Sequence, residues 1–320
     1  MGRSFPGIIA RRALQAVFSV WAVLTIGFIL LTLAPGDPVS FLLGDTSNPE
    51  LAARLRERLG LDAPPWVRYI TYLEGVLQGQ MGVSYIYRRP VADMIATRIP
   101  ATMLLFAAQF AISSVLGVLL GVWAARRKGS IVDKAVMMLS VTWYSVPVFW
   151  SGQLLLLLFG IYLGWFPLFG MRSLSTDLHP VLDTIWHLTL PALTLALLYM
   201  ALIARLTRAA MVEALQQDYI ITARAKGLPE RSVLRHALRN AMLPVVTILA
   251  LNIASVMSGA VLVETVYSWP GMGRLLYDSI TNRDYPVVLG LFLTISIVVI
   301  IANLVADISY SILDPRIRNR

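Results

Sequence analysis

Lysine is the basic residue type that could support ATP hydrolysis, because that reaction needs a lysine in a glycine-rich loop. That loop has the pattern Gly-x-x-x-x-Gly-Lys-Ser/Thr, in which backbone amides and the lysine hold the phosphates. The lysines of the chain are Lys128, Lys134 and Lys226, and none of them lies in that pattern. Any energy from ATP would therefore have to come from another protein.

Histidine and serine could support hydrolysis, but their settings do not favour it. The histidines, His179, His187 and His236, form no His-Glu-x-x-His pattern, and no cysteine is present. Ser151 lacks the glycine two residues before it that a nucleophile motif has. We interpret Ser151 as bonded within its own helix, and His179 and His187 as residues at the membrane interface beside an apolar run.

Acidic residues within apolar runs would indicate an ion-coupled carrier, because such carriers hold ionisable groups or broken helices near the centre of the membrane. Glu264 and Asp307 both lie near the ends of apolar runs. We expect each to face a backbone amide or an arginine. Pro147 could mark a broken helix, although a kink is the commoner outcome. A proton-coupled secondary transporter is therefore kept as the different-class alternative.

The composition requires elements that lie in lipid. Of the 320 residues, 57% are hydrophobic and only 14% are charged, whereas soluble domains carry about 25% charged residues. A transmembrane helix needs about 20 apolar residues. We predict an all-α membrane protein with six such helices, the third kinked near Pro147. The runs are 13–34, 101–125, 135–163, 188–204, 244–263 and 287–306.

The distribution of Lys and Arg predicts the orientation. The basic residues of the connections cluster before the first run, between the second and third, between the fourth and fifth, and after the sixth. By the positive-inside rule, both termini are cytoplasmic. The net charge of +9 is then explained by the basic residues that orient the spans, and we expect no nucleic-acid partner. The first run is expected to stay as an anchor and not to be cleaved as a signal peptide.

The segment 35–100 is predicted to form a small helical cap on the external side. Asn48 could cap a helix that runs from Pro49 to Gly60, and a second helix could start at Pro64-Pro65. Gly79 and Gly82 indicate a turn, and a short amphipathic helix is predicted over 90–98. The segment could be a packed cap with interfacial aromatic residues, or a docking platform for an external partner.

The cytoplasmic loop 205–243 is the most informative segment. Asp218 is predicted to cap a helix over Tyr219–Lys226, which Gly227 would end in the left-handed conformation. A second helix would start at Pro229 and end at Pro244 as the fifth span begins. It would carry an apolar face (Leu234, Ala237, Leu238, Ala241 and Met242) and a basic face (Arg231, Arg235 and Arg239). The loop could be held to anionic lipid headgroups, or could be a rigid lever that passes motion from a soluble partner to the spans.

This loop resembles that of permease subunits of bacterial dipeptide/oligopeptide ABC importers. The family signature reads Glu-Ala-Ala, three residues, Gly, nine residues, Ile, one residue, Leu-Pro. Ala223, Gly227 and Leu243-Pro244 match it. Ile221 and Thr222 stand where the family has Glu-Ala, and 13 residues (228–240) replace nine, which resembles the peptide-class variant. Other matching stretches are 33–38, 59–62 with Pro65, Arg68 and Tyr69, 79–84 without the usual acid, 264–273, 283–286, and residues 307, 308, 310 and 313–316.

The resemblance implies the type I importer permease fold in the bacterial inner membrane. Partners would be a second, homologous permease, two cytoplasmic ATPases that bind ATP and Mg, an external substrate-binding protein and membrane lipid. It implies a non-catalytic subunit with no cofactor or metal of its own. The coupling residues would be Asp218, Tyr219, Thr222, Ala223, Arg224, Ala225, Lys226 and Gly227. Candidate residues of the external loop and gate are Glu264, Trp269, Pro270, Gly271, Gly273, Asp284 and Tyr285.

The substrate class follows only from the resemblance, and peptides are the expected cargo. Nickel chelates, glutathione, opines and oligosaccharides are the alternatives within the same importer class. The expected layout is an N-terminal end and first span (1–34), an external segment (35–100), a transmembrane core (101–310) that contains the coupling loop 205–243, and a cytoplasmic tail (311–320).

Overall fold

The chain is built from α-helices. The computed structural model describes residues 5–34, 36, 38–43, 49–173 and 178–313, with side chains described at 14–249 within those ranges and at 260–304. Within that part of the chain, a single isolated β-bridge joins Val83 and Pro90. The helices are α1 (Phe5–Leu33), α2 (Pro38–Leu43), α3 (Pro49–Arg58), α4 (Pro65–Leu77), α5 (Val91–Arg126), α6 (Ile131–Ser145), α7 (Val148–Leu155), α8 (Pro180–Leu215), α9 (Asp218–Ala225), α10 (Glu230–Val266), α11 (Met272–Thr281) and α12 (Tyr285–Leu313).

The all-α membrane fold is confirmed, and the span count is lower than predicted within the described residues. Four helices are long and apolar enough to cross a membrane, namely α1, α5, α8 and α12, and a fifth candidate is the pair formed by α6 with α7. The remaining predicted span, 244–263, lies in α10, whose side chains at 250–259 are outside the described residues. The predicted six spans therefore have four or five counterparts there.

The third predicted span is broken, and not merely kinked. α6 ends at Ser145 and α7 starts at Val148, and the two directions differ by 107°. Val146 and Pro147 are both extended, with ψ near 130°. The ring of Pro147 disfavours helical backbone at Val146, the residue before it. α7 continues as a π-helix over Leu156–Tyr162. The prediction of one kinked helix over 135–163 was therefore wrong.

Two predicted helix boundaries at prolines were also wrong. The helix predicted over 90–98 is the first part of α5, which continues through Pro100. The helix predicted to end at Pro244 is the first part of α10, which continues through that residue. Proline removes one backbone hydrogen bond, at a cost on the order of 3 kcal/mol, but neighbouring helices can stabilise an apolar helix that contains it.

The chain divides into two compact units, Met1–Thr102 with Pro270–Ile300, and Met103–Trp269 with Ile301–Arg320. The first unit contains α3 and α4, which begin at Pro49 and Pro65 as predicted. Asn48, the predicted cap of α3, lies outside the described residues. In this unit the buried Asp284 carboxylate accepts hydrogen bonds from Ser84 Oγ and, at 3.0 Å, from the backbone amide of Tyr85.

The second unit is organised around α8, which packs against α10, α6 and α7. Close approach between α5 and α8 depends on Gly121, where a Cβ atom would lie 2.6 Å from the carbonyl oxygen of Ala204. Any larger residue would push the two helices apart. The C-terminal ends of α5 and α8 and the start of α10 meet in one packed core, and α9 joins that core.

Candidate functional site

α9 is a short helix fixed between two long ones by its inward face. Ile220 is completely buried and Ala223 is nearly so. Both belong to one apolar cluster, whose other buried members are Ala125, Met211, Ala214, Val233, Ala237 and Ala241. Because these residues come from α5, α8 and α10, a displacement of α9 has to move that cluster as well. The predicted apolar face of the segment after Pro229 is confirmed by this packing.

The start of α9 differs from the prediction. Asp218 is the first helical residue, Gln217 precedes the helix, and Gln217 makes no capping hydrogen bond through its side chain. Asp218 is exposed and stands in the first turn, where a carboxylate interacts favourably with the helix dipole. Its backbone carbonyl accepts a hydrogen bond from Thr222 Oγ at 3.0 Å. The prediction of Asp218 as a capping residue was wrong, and the helix starts one residue earlier.

The end of α9 is the predicted left-handed turn at Gly227, where φ is +76°. The Gly227 amide donates to the carbonyl of Arg224 at 2.9 Å, and the Leu228 amide donates to that of Ala223 at 3.2 Å. These two bonds form a Schellman motif. A Cβ atom at position 227 would meet nothing within 4 Å, so the backbone conformation, and not the space, requires glycine. Arg224 Nε also contacts Glu230 Oε1 at 3.0 Å across the turn.

The outward face of α9, which we define as Tyr219, Ile221, Thr222 and Ala225, is exposed to solvent. Ile221 alone keeps 60% of its surface exposed. Exposed basic side chains lie on α9 and its end and on the start of α10, namely Arg224, Lys226, Arg231, Arg235 and Arg239. Of the predicted coupling residues, only Ala223 faces inward. The arrangement is an apolar patch with a basic rim, suited to a partner that carries apolar and acidic groups.

An ion pair fixes α8 close to this site. Arg208 on α8 contacts Asp133 on α6 through both Nε (2.5 Å) and Nη2 (2.7 Å). The Asp133 carboxylate also accepts from the Gly129 amide at 2.9 Å, and Ser130 Oγ accepts from the Asp133 amide. The bidentate pair has a defined geometry. Sequence reasoning missed it, since the two residues are 75 positions apart.

We expect Asp133→Asn to lower the free energy of unfolding by about 2 kcal/mol, because a buried charge-assisted pair becomes a weaker neutral bond. Thermal unfolding of the purified protein in detergent measures the change. Arg208→Gln and the double variant complete a double-mutant cycle. Additive losses in that cycle would contradict a direct interaction.

The other end of α10 holds the first predicted external-loop residues. Glu264 and Trp269 are completely buried, and the Trp269 amide donates to the Glu264 carbonyl at 2.8 Å. The hydroxyl of Tyr267 lies 2.9 Å from Thr194 Oγ1 and donates to the carbonyl of Gly152, also at 2.9 Å. Sequence reasoning missed this residue. Tyr267 thereby joins α10 to α8 and α7.

The remaining predicted external-loop residues lie around α11 and the start of α12. Gly271 precedes α11, Gly273 is buried within it, and Tyr285 begins α12. Pro270 and Tyr285 are half-buried, and Asp284 is the buried acceptor described above. Since α10 has 37 residues and a helix rises about 1.5 Å per residue, its two ends are far apart. The structure therefore does not bring the coupling residues and the Glu264–Trp269 residues together.

The two histidines of α8 differ from each other. His179 precedes the helix, and its Nδ1 accepts from the Val181 amide at 3.3 Å. His187 is buried in the helix with Nδ1 3.3 Å from Asp183 Oδ1, and its position at the membrane interface stays a prediction. Ser173 Oγ also donates to Asp183 Oδ1 at 2.9 Å. Ser151 Oγ bonds to the carbonyl of Val148 in its own helix, as predicted.

Comparison with known proteins identifies the family. Residues 117–319 match the family model described as "Binding-protein-dependent transport system inner membrane component". Residues 7–106 match the model for the N-terminal part of such membrane components. Together the two matches cover both compact units of the chain.

Curated relatives are similar over nearly their whole length. The di/tripeptide transport system permease protein DppB of Pseudomonas aeruginosa is 41% identical, over 98% of each chain. The oligopeptide transport system permease protein AppB of Bacillus subtilis is 38% identical, over 97% of this chain and 98% of its own. The dipeptide transport system permease protein DppB of Escherichia coli is 40% identical, over 92% and 95%. The chain therefore belongs to the family of inner membrane components of binding-protein-dependent transport systems.

Proposed function

We propose that this chain is a permease subunit that imports peptides, and that α9 couples it to a cytoplasmic ATPase. The observation that carries the proposal is the two-sided environment of α9. Ile220 and Ala223 fix the helix to α8 and α10, while the outward face remains exposed. A partner that grips this face could therefore move two long helices at once.

The conformational change of transport requires such a partner. Changing a two-state equilibrium from mostly inward-open to mostly outward-open takes about 5.5 kcal/mol of differential binding. None of the chain's lysines lies in a phosphate-binding loop. Nucleotide bound to partner subunits can supply the energy, with ATP binding drawing the coupling helices together and hydrolysis releasing them. This chain would contribute no catalysis and hold no cofactor.

The proposed assembly contains a second homologous permease, two ATPases and an external substrate-binding protein. The substrate path would lie between the two permeases. Both termini would be cytoplasmic, as the distribution of basic residues favours. The external-loop candidates from Glu264 to Tyr285, with the segment 35–100, would then face the binding protein.

Peptides are the proposed cargo because the relatives with high identity are named as di/tripeptide, dipeptide and oligopeptide permeases. Nickel chelates, glutathione, opines and oligosaccharides remain the alternatives. We expect the assembled transporter, reconstituted in liposomes with its binding protein, to hydrolyse ATP faster when a dipeptide is added and to accumulate that dipeptide.

Matched controls in that experiment are glutathione, a nickel chelate and the purified chain alone. Stimulation by glutathione but not by dipeptides would overturn the choice of cargo. The chain alone is expected to show no ATPase activity, and turnover by it would contradict the assignment of hydrolysis to partner subunits.

A further inference from the structure

A cavity of about 460 Å³ lies within the first compact unit. Its volume falls in the range of small-molecule sites. Its lining residues come from the end of α1, the turn between α3 and α4, one face of α4, the segment 80–85 that follows α4, and the start of α12. Lining residues on the two membrane spans include Phe28, Leu31, Pro286 and Leu289. The cavity therefore lies at the level where α1 ends and α12 begins.

The lining is mostly apolar, with a single charged side chain. Among the described residues that line it, Arg68 on α4 carries the only charge. Arg68 also lies close enough to Tyr85 to oppose the rise that burial causes in the pKa of that phenol. The ring of Tyr72 lines the cavity, and its buried hydroxyl has no hydrogen-bond partner within the described ranges.

The opposite face of α4 indicates what surrounds the cavity. Trp66 is 68% exposed, Leu77 is 87% exposed, and Ile70 is also exposed. Positions 66, 70 and 77 share one side of a helix, since they are separated by four and seven residues. An apolar stripe with an aromatic residue at its end is typical of a helix that lies in the membrane interface. α4 therefore presents an exposed apolar stripe on one side and lines the cavity with the other.

We propose that this cavity binds one anionic phospholipid, with an acyl chain among the apolar residues and the phosphate near Arg68. The leaflet is the one on the side of the segment 35–100. Charge complementarity selects the headgroup, because Arg68 is the charged group of the lining. The proposal depends on the membrane setting of α1, α4 and α12, and not on the cargo or on the action of α9.

The test compares lipid retention by variants of the assembled transporter. The complex is reconstituted in nanodiscs with equal amounts of phosphatidylglycerol and phosphatidylethanolamine, then transferred to mild detergent, and retained lipid is measured by native mass spectrometry. Wild type is expected to retain one phosphatidylglycerol per copy of this chain. Arg68→Gln should lower that retention about fivefold, the effect of one basic residue at a membrane surface, and abolish the preference over phosphatidylethanolamine.

Filling the cavity tests the acyl-chain site. Ala63→Phe should reduce retention of both lipids by at least about tenfold, because each methylene that loses its burial weakens binding about fourfold. The matched controls are Arg89→Gln and Ala53→Phe, which alter exposed residues of the same segment outside the lining. Both controls should retain lipid as wild type does.

Three results would overturn the proposal. One is a wild-type complex that retains no lipid, or only detergent. The cavity would then be filled by solvent or by a protein segment. Another is equal retention by wild type and Ala63→Phe, and the third is an equal loss in the two controls. Peptide import is not the readout, so failure here would leave the proposed transport function standing.

Discussion

Gly227→Pro is expected to lower the number of peptides imported per ATP at least about tenfold, while the chain still inserts and assembles. Proline fixes φ near −65° and has no N–H, whereas Gly227 has φ of +76° and donates to the Arg224 carbonyl. The substitution costs on the order of 3 kcal/mol locally, and tenfold corresponds to about 1.4 kcal/mol. The Schellman motif would open, and the connection from α9 to α10 would lose its stiffness.

Two companion variants separate coupling from general damage. Gly227→Ala keeps the N–H and meets no neighbouring atom, so it should cost only about 1–2 kcal/mol for the left-handed conformation and give a smaller loss. Gly164→Pro disrupts another left-handed turn, where φ is +64° and a Cβ atom would meet nothing within 4 Å. It should leave the coupling ratio unchanged. Liposome uptake and phosphate release are measured together, and a normal ratio in Gly227→Pro would refute the role of α9 as a lever.

Local patterns in the sequence predicted most of the fold because apolar length and glycine turns are local properties. The apolar runs 101–125 and 287–306 lie inside α5 and α12. Proline was the main source of error in predicting the helix boundaries, since the same residue type has three different effects on the helices of this chain. It separates two helices at Pro147, continues within a helix at Pro100 and Pro244, and starts a helix at Pro65. The outcome depends on what surrounds the proline, and sequence spacing does not reveal that.

The candidate site was predicted in outline, but its inward face was not. Sequence patterns predicted α9 and its end at Gly227, because a helix with a glycine stop is a local signal. They did not assign Ile220 and Ala223 to the buried side, since a helix of eight residues is too short for a clear period. The Asp133–Arg208 pair and the contacts of Tyr267 depend on helices that meet only in the folded protein.

Ile221→Asp is expected to weaken binding of the proposed ATPase partner about 30-fold without unfolding the chain. Ile221 is largely exposed on the outward face of α9, so its substitution leaves the core intact. If the side chain enters an apolar groove of the ATPase, a carboxylate there loses about 2 kcal/mol or more, as for other central interface residues. Co-purification of the ATPase with this chain, quantified against its concentration, measures the loss.

The neighbouring residue, Ile220, provides the comparison variant for Ile221→Asp. Ile220 is completely buried in the cluster that joins α8, α9 and α10, so Ile220→Asp would bury an unpaired charge and should lower the amount of folded protein. Asn240→Asp adds the same charge at an exposed position of α10 and should change neither property. If Ile221→Asp bound the ATPase as wild type does, the outward face of α9 could not be the contact. Motion would then have to enter through another part of the loop, since the buried face of α9 touches only its own chain.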